Sequence, residues 1–340
     1  MTGLAILDGD AGHARPGHPE RPERLAAIRS TIAADPVLAA LPRVPNAPAS
    51  RAALERVHAP AYLDLLETFC ATGGGDLDFD TYATSASYRL ATKACGGLLT
   101  LVDRVMGGEF ASGFALGRPP GHHARPAQAM GFCLVSNAAV AARHAQVAHG
   151  AERVLIVDLD VHHGNGTQEA FYDDPSVLFV STHQADLYPG SGHVGDAGVG
   201  AGDGATVNVP VPGGTGDELV DLLRAILPPL AARHQPDLVL LSFGADAHRL
   251  DALAGLGLSV DGIADAATAV LEVADAECGG RVVATLEGGY HTGALAAAVA
   301  GVLHRMIDPT ALVADPFDFP ALPRQDLSPL LSAVRSLHRL

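Results

Sequence analysis

Two short stretches of this chain carry side chains of a type and spacing suited to chemistry. In Asp158-Leu159-Asp160-Val161-His162, two carboxylates and an imidazole recur at every second residue. On an extended strand such residues share a face, so the three project together while Leu159 and Val161 point the other way. Carboxylate and imidazole ligands suit Zn2+, Fe2+ or Mn2+, and three protein ligands with an open position mark a catalytic centre. Asp246, where another apolar run turns polar, is the natural further ligand. The second stretch is the tandem pair His122-His123, which follows a Pro-Pro-Gly turn. Imidazole titrates near neutrality and moves protons in hydrolysis. Read alone, each stretch has a plainer meaning: hydrogen-bonded carboxylates at a loop entry, and solvated or packed histidines. Together they argue for a metal-assisted hydrolytic site. His163 falls on the opposite face by the same alternation and reads as structural, while Gly164 and Gly166 let the chain turn sharply.

The elements that must position these groups are short apolar runs separated by Ala-rich segments. The runs at 154–161, 177–183, 238–246 and 282–290 are near-continuous in Val, Leu and Ile, and 114–123 behaves as a fifth. Helical patterns fill 217–234, 261–278 and 292–306, with Pro228 and Pro229 expected to kink or end the first. Apolar strands alternating with helices predict a parallel sheet covered on both faces. Every run turns polar or glycine-rich at its C-terminal end: DLDVHHGNG, STHQ, GADAHR, EGGY and PPGHH. Ligands of open parallel sheets bind beyond the carboxyl ends of the strands, so these ends predict one crevice. No repeat or low-complexity linker divides the chain, and a single α/β catalytic domain is expected over 1–340, its Pro-rich tail from about 309 wrapping the surface.

Composition narrows the partners. The formal charge of −16 leaves no basic face for nucleic acid but tolerates cationic substrates such as lysine-rich tails or polyamines. No apolar run reaches the ~18 residues of a membrane span, and the first residues lack the layout of a secretory leader. Cys70, Cys95, Cys133 and Cys278 show no CxxC spacing, which argues against a disulfide framework or a thiolate metal site and for a reducing, cytoplasmic location.

Taken in order, RPPGHHA (118–124), GFC (131–133), DLDVHHGNGTQ (158–168), GADAH (244–248) and LEGGY (286–290) resemble the histone deacetylase superfamily. HPERPERL (18–25) is similar to its N-terminal loop, so the resemblance runs from about 18 to 290. That group includes bacterial histone-deacetylase-like amidohydrolases and acetylpolyamine amidohydrolases. The resemblance implies the arginase/deacetylase fold, with one parallel sheet of about eight strands between helical layers. It also implies zinc-dependent hydrolysis of N-acetyl amides on lysine side chains or related amines, in peptides or small molecules.

Carried over residue by residue, the resemblance assigns zinc to Asp160, His162 (through Nδ1) and Asp246. His123 becomes the general base and acid, and His122 tunes the field beside it. Asp158 orients His122 and Asn165 orients His123, where many relatives have Asp. A neutral amide stabilises imidazolium less than a carboxylate does, so a lower pKa is expected for His123 than for His122. Tyr290, held by Gly288-Gly289, supplies the oxyanion donor. Phe132 and Tyr188 are the wall positions of a narrow slot, the second usually Phe. Gly131 and Gly289 adjoin the slot, Asp80 sits at its rim, and Arg24 matches an arginine near an internal acetate channel. Asp158, Ser181, Thr182 and the main-chain carbonyls of Asp160 and His162 would hold K+ or Na+, with a second such site near Phe171, Asp174 and Val177.

Competing readings remain open. At the position where eukaryotic polyamine deacetylases carry a gatekeeper glutamate this chain has Leu253, although its acidity favours polyamines. The short 72–87 segment leaves little room for a dimer-forming specificity loop, while a homo-oligomer stays compatible. An arginase-like ureohydrolase would need a further Asp near Asp246, where Ala247 and His248 follow instead. A catalytically silent acyl-lysine binding module is the reading from another class.

Overall fold

The computed structural model describes residues 1–320 and 322–340. Its strands are β1 (Thr2–Ile6), β2 (Gly74–Asp76), β3 (Tyr82–Thr84), β4 (Ser112–Leu116), β5 (Val154–Asp158), β6 (Val177–Gln184), β7 (Thr206–Val211), β8 (Leu238–Phe243) and β9 (Val282–Leu286). β2 and β3 pair as a small antiparallel ladder. The other seven form one sheet in the order β1-β4-β9-β8-β5-β6-β7. Every pairing in that sheet is parallel.

Strand alternation splits the core in two. Leu155, Val157, Val239 and Leu241 pack toward the helices Glu23–Ala34, Leu219–His234, Val260–Cys278 and Thr292–Ile307. Val154, Ile156, Leu238 and Leu240 pack toward Ser87–Met106 and Asn137–His149. This double burial is why the strands read as continuous apolar runs. In register, Asp158 pairs with Ser181 of β6 and Ser242 of β8, so the polar strand ends emerge level at one edge.

The structure refines the expected details. The sheet has seven strands rather than about eight. Outside β1 the described residues form a single bridge, Leu4 to Arg43, and Pro42 next to it has no amide to extend the ladder. The edge strands β1 and β7 were not foreseen; β7 carries Pro210, which an edge strand tolerates. Helix Leu219–His234 runs through Pro228 and Pro229 without ending. The Ala225 carbonyl, which Pro229 cannot serve, accepts from Arg335 at 3.3 Å.

That arginine belongs to helix Ser328–His338, a further element the Pro-rich composition hid. Before it the tail lies against the domain, with Phe317 5.4 Å from the His248 ring and 5.7 Å from His291. Among the described residues, no helix is long and apolar enough to cross a membrane.

His58 clamps the loop that follows β4. Its Nε2 accepts from Ser136 N at 2.9 Å and its Nδ1 donates to Arg125 O at 3.1 Å. Burial lowers its pKa from 6.5 to about 4. The unfolded chain therefore takes up the proton first, so this contribution is intact above pH 6.5 and is lost as pH falls toward 4. Urea unfolding should become easier across that window, and less steeply so in His58→Gln, whose amide can make both bonds without titrating. An identical pH slope in the variant would contradict this role.

Candidate active site

β5 ends at Asp158, so the ligand run is not carried on an extended strand as its spacing suggests. Residues 159–164 turn instead, and the site's own carboxylates fix the turns. Asp158 Oδ1 accepts from Asp160 N at 3.1 Å, Asp160 Oδ1 from His162 N at 2.9 Å, and Asp246 Oδ1 from Val161 N at 3.0 Å. Aspartates that bond amides two residues on replace strand pairing with a defined loop. Asp160 and His162 do converge, through side-chain-to-backbone bonds rather than through the pleat.

Donor atoms of Asp160, His162 and Asp246 lie within 4.8 Å of one another, and all three residues are buried. His162 Nδ1 is 3.1 Å from Asp160 Oδ1 and 3.3 Å from Asp246 Oδ2. Each carboxylate also ties one oxygen to a backbone amide: Asp160 Oδ2 accepts from Gly288 N at 2.8 Å, Asp246 Oδ1 from Val161 N. Asp246 Oδ2 is buried with no hydrogen-bond partner. An unpaired buried carboxylate oxygen is costly, and two carboxylates against one imidazole leave excess negative charge. Burial and the Asp160 charge push the Asp246 carboxyl up to about 6. A divalent cation relieves both penalties, and the mixed N and O donors fit zinc. A Cβ on Gly288 would lie 2.0 Å from Asp246 Oδ2, and one on Gly244 2.2 Å from Asp160 Oδ2. Glycine is what lets the ends of β8 and β9 reach these oxygens.

The histidine pair flanks this centre. His122 Nδ1 lies 3.1 Å from Asp158 Oδ2, and its Nε2 lies 3.8 Å from Asp160 Oδ1. Burial opposes its charge, but Asp160 and Asp158 prevail and raise its pKa to about 10. His123 Nδ1 donates to Asn165 Oδ1 at 2.8 Å, while Asn165 Nδ2 turns to the Met130 sulfur at 3.4 Å. With Nδ1 the donor, Nε2 of His123 keeps its lone pair. Burial and then the neighbouring His122 and His162 charges hold the His123 pKa well below 6.5; Asn165 acts the other way. The order of the two imidazoles is the expected one, but burial is its first cause and the charge of the adjacent ring, centroids 4.0 Å apart, its second, while the amide acts against it.

Sequence reasoning missed the residues that hold this array. Glu287 follows β9, and its Oε2 accepts from Gly121 N at 2.6 Å and His122 N at 3.0 Å while Oε1 accepts from Ser242 Oγ at 3.0 Å. It thus fastens the histidine turn to the sheet; burial raises its pKa to about 7. A lone acid at the end of an apolar strand was the available signal. Glu20 receives Arg118 through Nε and Nη2, both at 2.6 Å, and Arg24 at 3.1 Å. Asp251 Oδ2 accepts from Tyr290 N at 2.6 Å and His291 N at 3.1 Å, a role with no sequence signal.

Arg24 is fully buried, donates to Gly289 O at 2.7 Å, and sits 5.0 Å over the Tyr290 ring, so it braces the Gly-Gly-Tyr turn. Burial raises the Tyr290 pKa well above 10, which keeps the phenol a donor. Phe132 lies edge-on 5.7 Å from Tyr290, and Tyr188 edge-on 5.1 Å from His123, its hydroxyl buried and unpartnered. Gly131 and Gly289 both have positive φ, 54° and 115°. Asp80 stands at the half-buried rim, where Thr81 Oγ donates to it at 2.8 Å and accepts from Phe132 N at 3.0 Å. Of the monovalent-ion residues, Thr182 Oγ donates to Asp158 O at 3.4 Å and Ser181 Oγ bonds His183 Nδ1 at 3.0 Å. Phe171 and Val177 are buried, and Asp174 is engaged by Ser176 N at 2.8 Å and Arg143 at 2.6 Å. His163 is held by Ser191 and Gln168, at 2.8 and 2.9 Å. Leu253 N donates to Asp251 Oδ1 at 3.1 Å.

A histone deacetylase domain profile matches residues 18–306. "Histone deacetylase 10, chloroplastic" of Oryza sativa subsp. japonica is 39% identical over 351 residues, 97% of this chain and 79% of that protein. A "Histone deacetylase-like amidohydrolase" of Pseudomonas aeruginosa is 38% identical over 276 residues, 81% of this chain and 73% of its own. The crystal structure of the HDA15 HD domain matches with a TM-score of 0.89 at 33% identity, covering 99% of this chain and 95% of that one.

A side chain at Gly131 would disturb the array directly, since a Cβ there would lie 2.3 Å from His123 Cδ2. Gly131→Ala should cut turnover by ~100-fold or more while leaving the metal content unchanged. Near-normal turnover would show that this contact does not hold the imidazole.

Proposed function

The chain belongs to the histone deacetylase family, and from that premise we propose that Asp160, His162 and Asp246 hold one zinc ion in an acyl-amide hydrolase. The enzyme is a deacetylase or amidohydrolase, and the family is zinc-dependent in general. The observation that carries the metal assignment is the buried, unpartnered Asp246 Oδ2 facing His162 Nδ1. When bound, zinc polarises the acyl carbonyl and makes water more acidic.

The chain's own groups then do the proton work. His123 Nε2, with its lone pair free, takes a proton from the attacking water and delivers one to the leaving amine nitrogen. Asn165 fixes the ring for both transfers. The Tyr290 phenol, protonated because it is buried, donates to the oxygen that gains charge as the water adds. The C–N bond then breaks, and acetate and the free amine leave. Phe132 and Tyr188 border the path for an apolar acyl-amine chain, with Gly131 and Gly289 beside it and Asp80 at the rim. Asp158, Ser181, Thr182 and the Asp160 and His162 carbonyls form a K+ or Na+ site next to the zinc. Residues 1–340 act as one catalytic unit, in the cytoplasm, consistent with four buried free cysteines.

Within this activity, acetylated polyamines are the second reading. The rim carboxylate Asp80 would favour a cationic amine there. The neutral Leu253 speaks for acyl-lysine. Ratios of kcat/KM for an acetyl-lysine peptide and for N-acetylspermidine decide between them.

Tyr290→Phe should lower kcat by ~100- to 1000-fold with zinc retained, the scale of a lost oxyanion donor. Loss of zinc in that variant would overturn the assignment of Tyr290. Dialysis against a chelator should abolish activity and zinc readdition should restore it, whereas a chelator-insensitive enzyme would refute the metal centre.

A further inference from the structure

On the face of the sheet opposite the helix row that carries Thr292–Ile307, two helices end side by side, and three side chains meet there. His144 Nε2 and His149 Nε2 each lie 2.7 Å from Asp103 Oδ1. Their rings stand 5.9 Å apart at 76°, and the three donor atoms fall within 4.8 Å of one another. We propose that Asp103, His144 and His149 form a second metal site, which takes a divalent transition ion at the surface and clips the two helices together.

The donor set selects the ion. Two imidazoles and a carboxylate suit Zn2+, Ni2+ or Cu2+ rather than Mg2+ or Ca2+, which prefer all-oxygen shells. Position favours a cation too. Asp103 lies in the last turn of Ser87–Met106 and His149 ends Asn137–His149, so both helix C-termini present their negative ends. Access is direct, because the Asp103 side chain is 49% exposed and the imidazoles are 16% and 23% exposed. Without an ion, each imidazole donates a proton to the same carboxylate oxygen. The ion takes the place of those two protons, which pass to Nδ1 or to solvent as each Nε2 lone pair turns to the metal. Arg56 Nη1, 3.5 Å from His144 Nδ1, is a neighbouring cation that opposes binding.

The other compact grouping, His122 with Cys133 and Glu287, differs in kind: both Glu287 oxygens are already committed to Gly121, His122 and Ser242. The Asp103 cluster has no such obligation to backbone. Its helices also matter to the fold. Ser87–Met106 leads to β4, whose end bears the histidine pair, and Asn137–His149 leads to β5, whose end bears the zinc loop. An ion at their termini stabilises the pair from the far side of the sheet without entering the chemistry.

The test counts zinc by mass spectrometry after dialysis of the full chain at micromolar free Zn2+. Wild type should hold two equivalents, and His144→Ala/His149→Ala should hold one with its deacetylase activity intact. Asp160→Asn should hold only the surface equivalent, so the catalytic centre and this site are read separately. Excess zinc should raise the melting temperature of wild type and not of the double variant, and Arg56→Leu should tighten the surface site. A wild type that binds a single equivalent, or a double variant that keeps two, overturns the proposal.

Discussion

Asp246 Oδ2 is buried, has nothing to bond, and faces His162 Nδ1 at 3.3 Å with Asp160 on the other side of the same nitrogen. Such a cluster repels itself unless a cation sits within it, and the protein must hold it together while it waits. It does so from outside. Gly288 N and His162 N each take one oxygen of Asp160, and Val161 N takes one of Asp246, so Asp246 Oδ2 alone of the four is left without an amide. A side chain on Gly288 or Gly244 would collide with these carboxylate oxygens. The cluster's demand for a cation is in this sense written into the apolar enclosure of two acids rather than into any one ligand.

The parallel sheet makes that enclosure possible. β9, β8 and β5 are central neighbours, and each delivers one part at its carboxyl end: the Gly-Gly-Tyr turn, Asp246, and the Asp158-to-His162 loop. β4, next to β9, delivers the histidine pair, and Glu287 ties that turn down through three hydrogen bonds. Arg24, anchored by Glu20, and Asp251 hold Tyr290 from two sides. Proton states follow from the same closeness. Asp158 and Asp160 favour a charged His122, and that charge helps keep His123 neutral and ready to accept a proton.

Much of this was legible in the sequence because strand ends and reactive residues coincide. The five apolar runs with polar C-terminal ends locate the crevice, and the types of Asp160, His162 and Asp246 name its chemistry. The local geometry was not legible: i, i+2 spacing suggests a strand, whereas the loop is set by Asx bonds that depend on Asp246 from another strand. Glu20, Asp251 and Glu287 escaped for a related reason, since most of their partners are distant in the chain: Arg118 for Glu20, the Tyr290 and His291 amides for Asp251, and the Gly121 and His122 amides with Ser242 for Glu287. Pro228 and Pro229, expected to kink or end their helix, do not end it, and Arg335, from a helix hidden in the Pro-rich tail, serves the carbonyl that Pro229 leaves open. The edge strands β1 and β7 were missed although both are almost wholly buried, because a short apolar run beside Gly3 or Pro210 carries little strand signal.

Crystals of the purified protein, measured on either side of the zinc absorption edge, address the central point most directly. The expected anomalous difference map has its main peak among Asp160 Oδ1, His162 Nδ1 and Asp246 Oδ2, so that the orphaned oxygen is accounted for. A map with no peak there, in protein that hydrolyses acyl amides, would contradict the arrangement on which every assigned role depends.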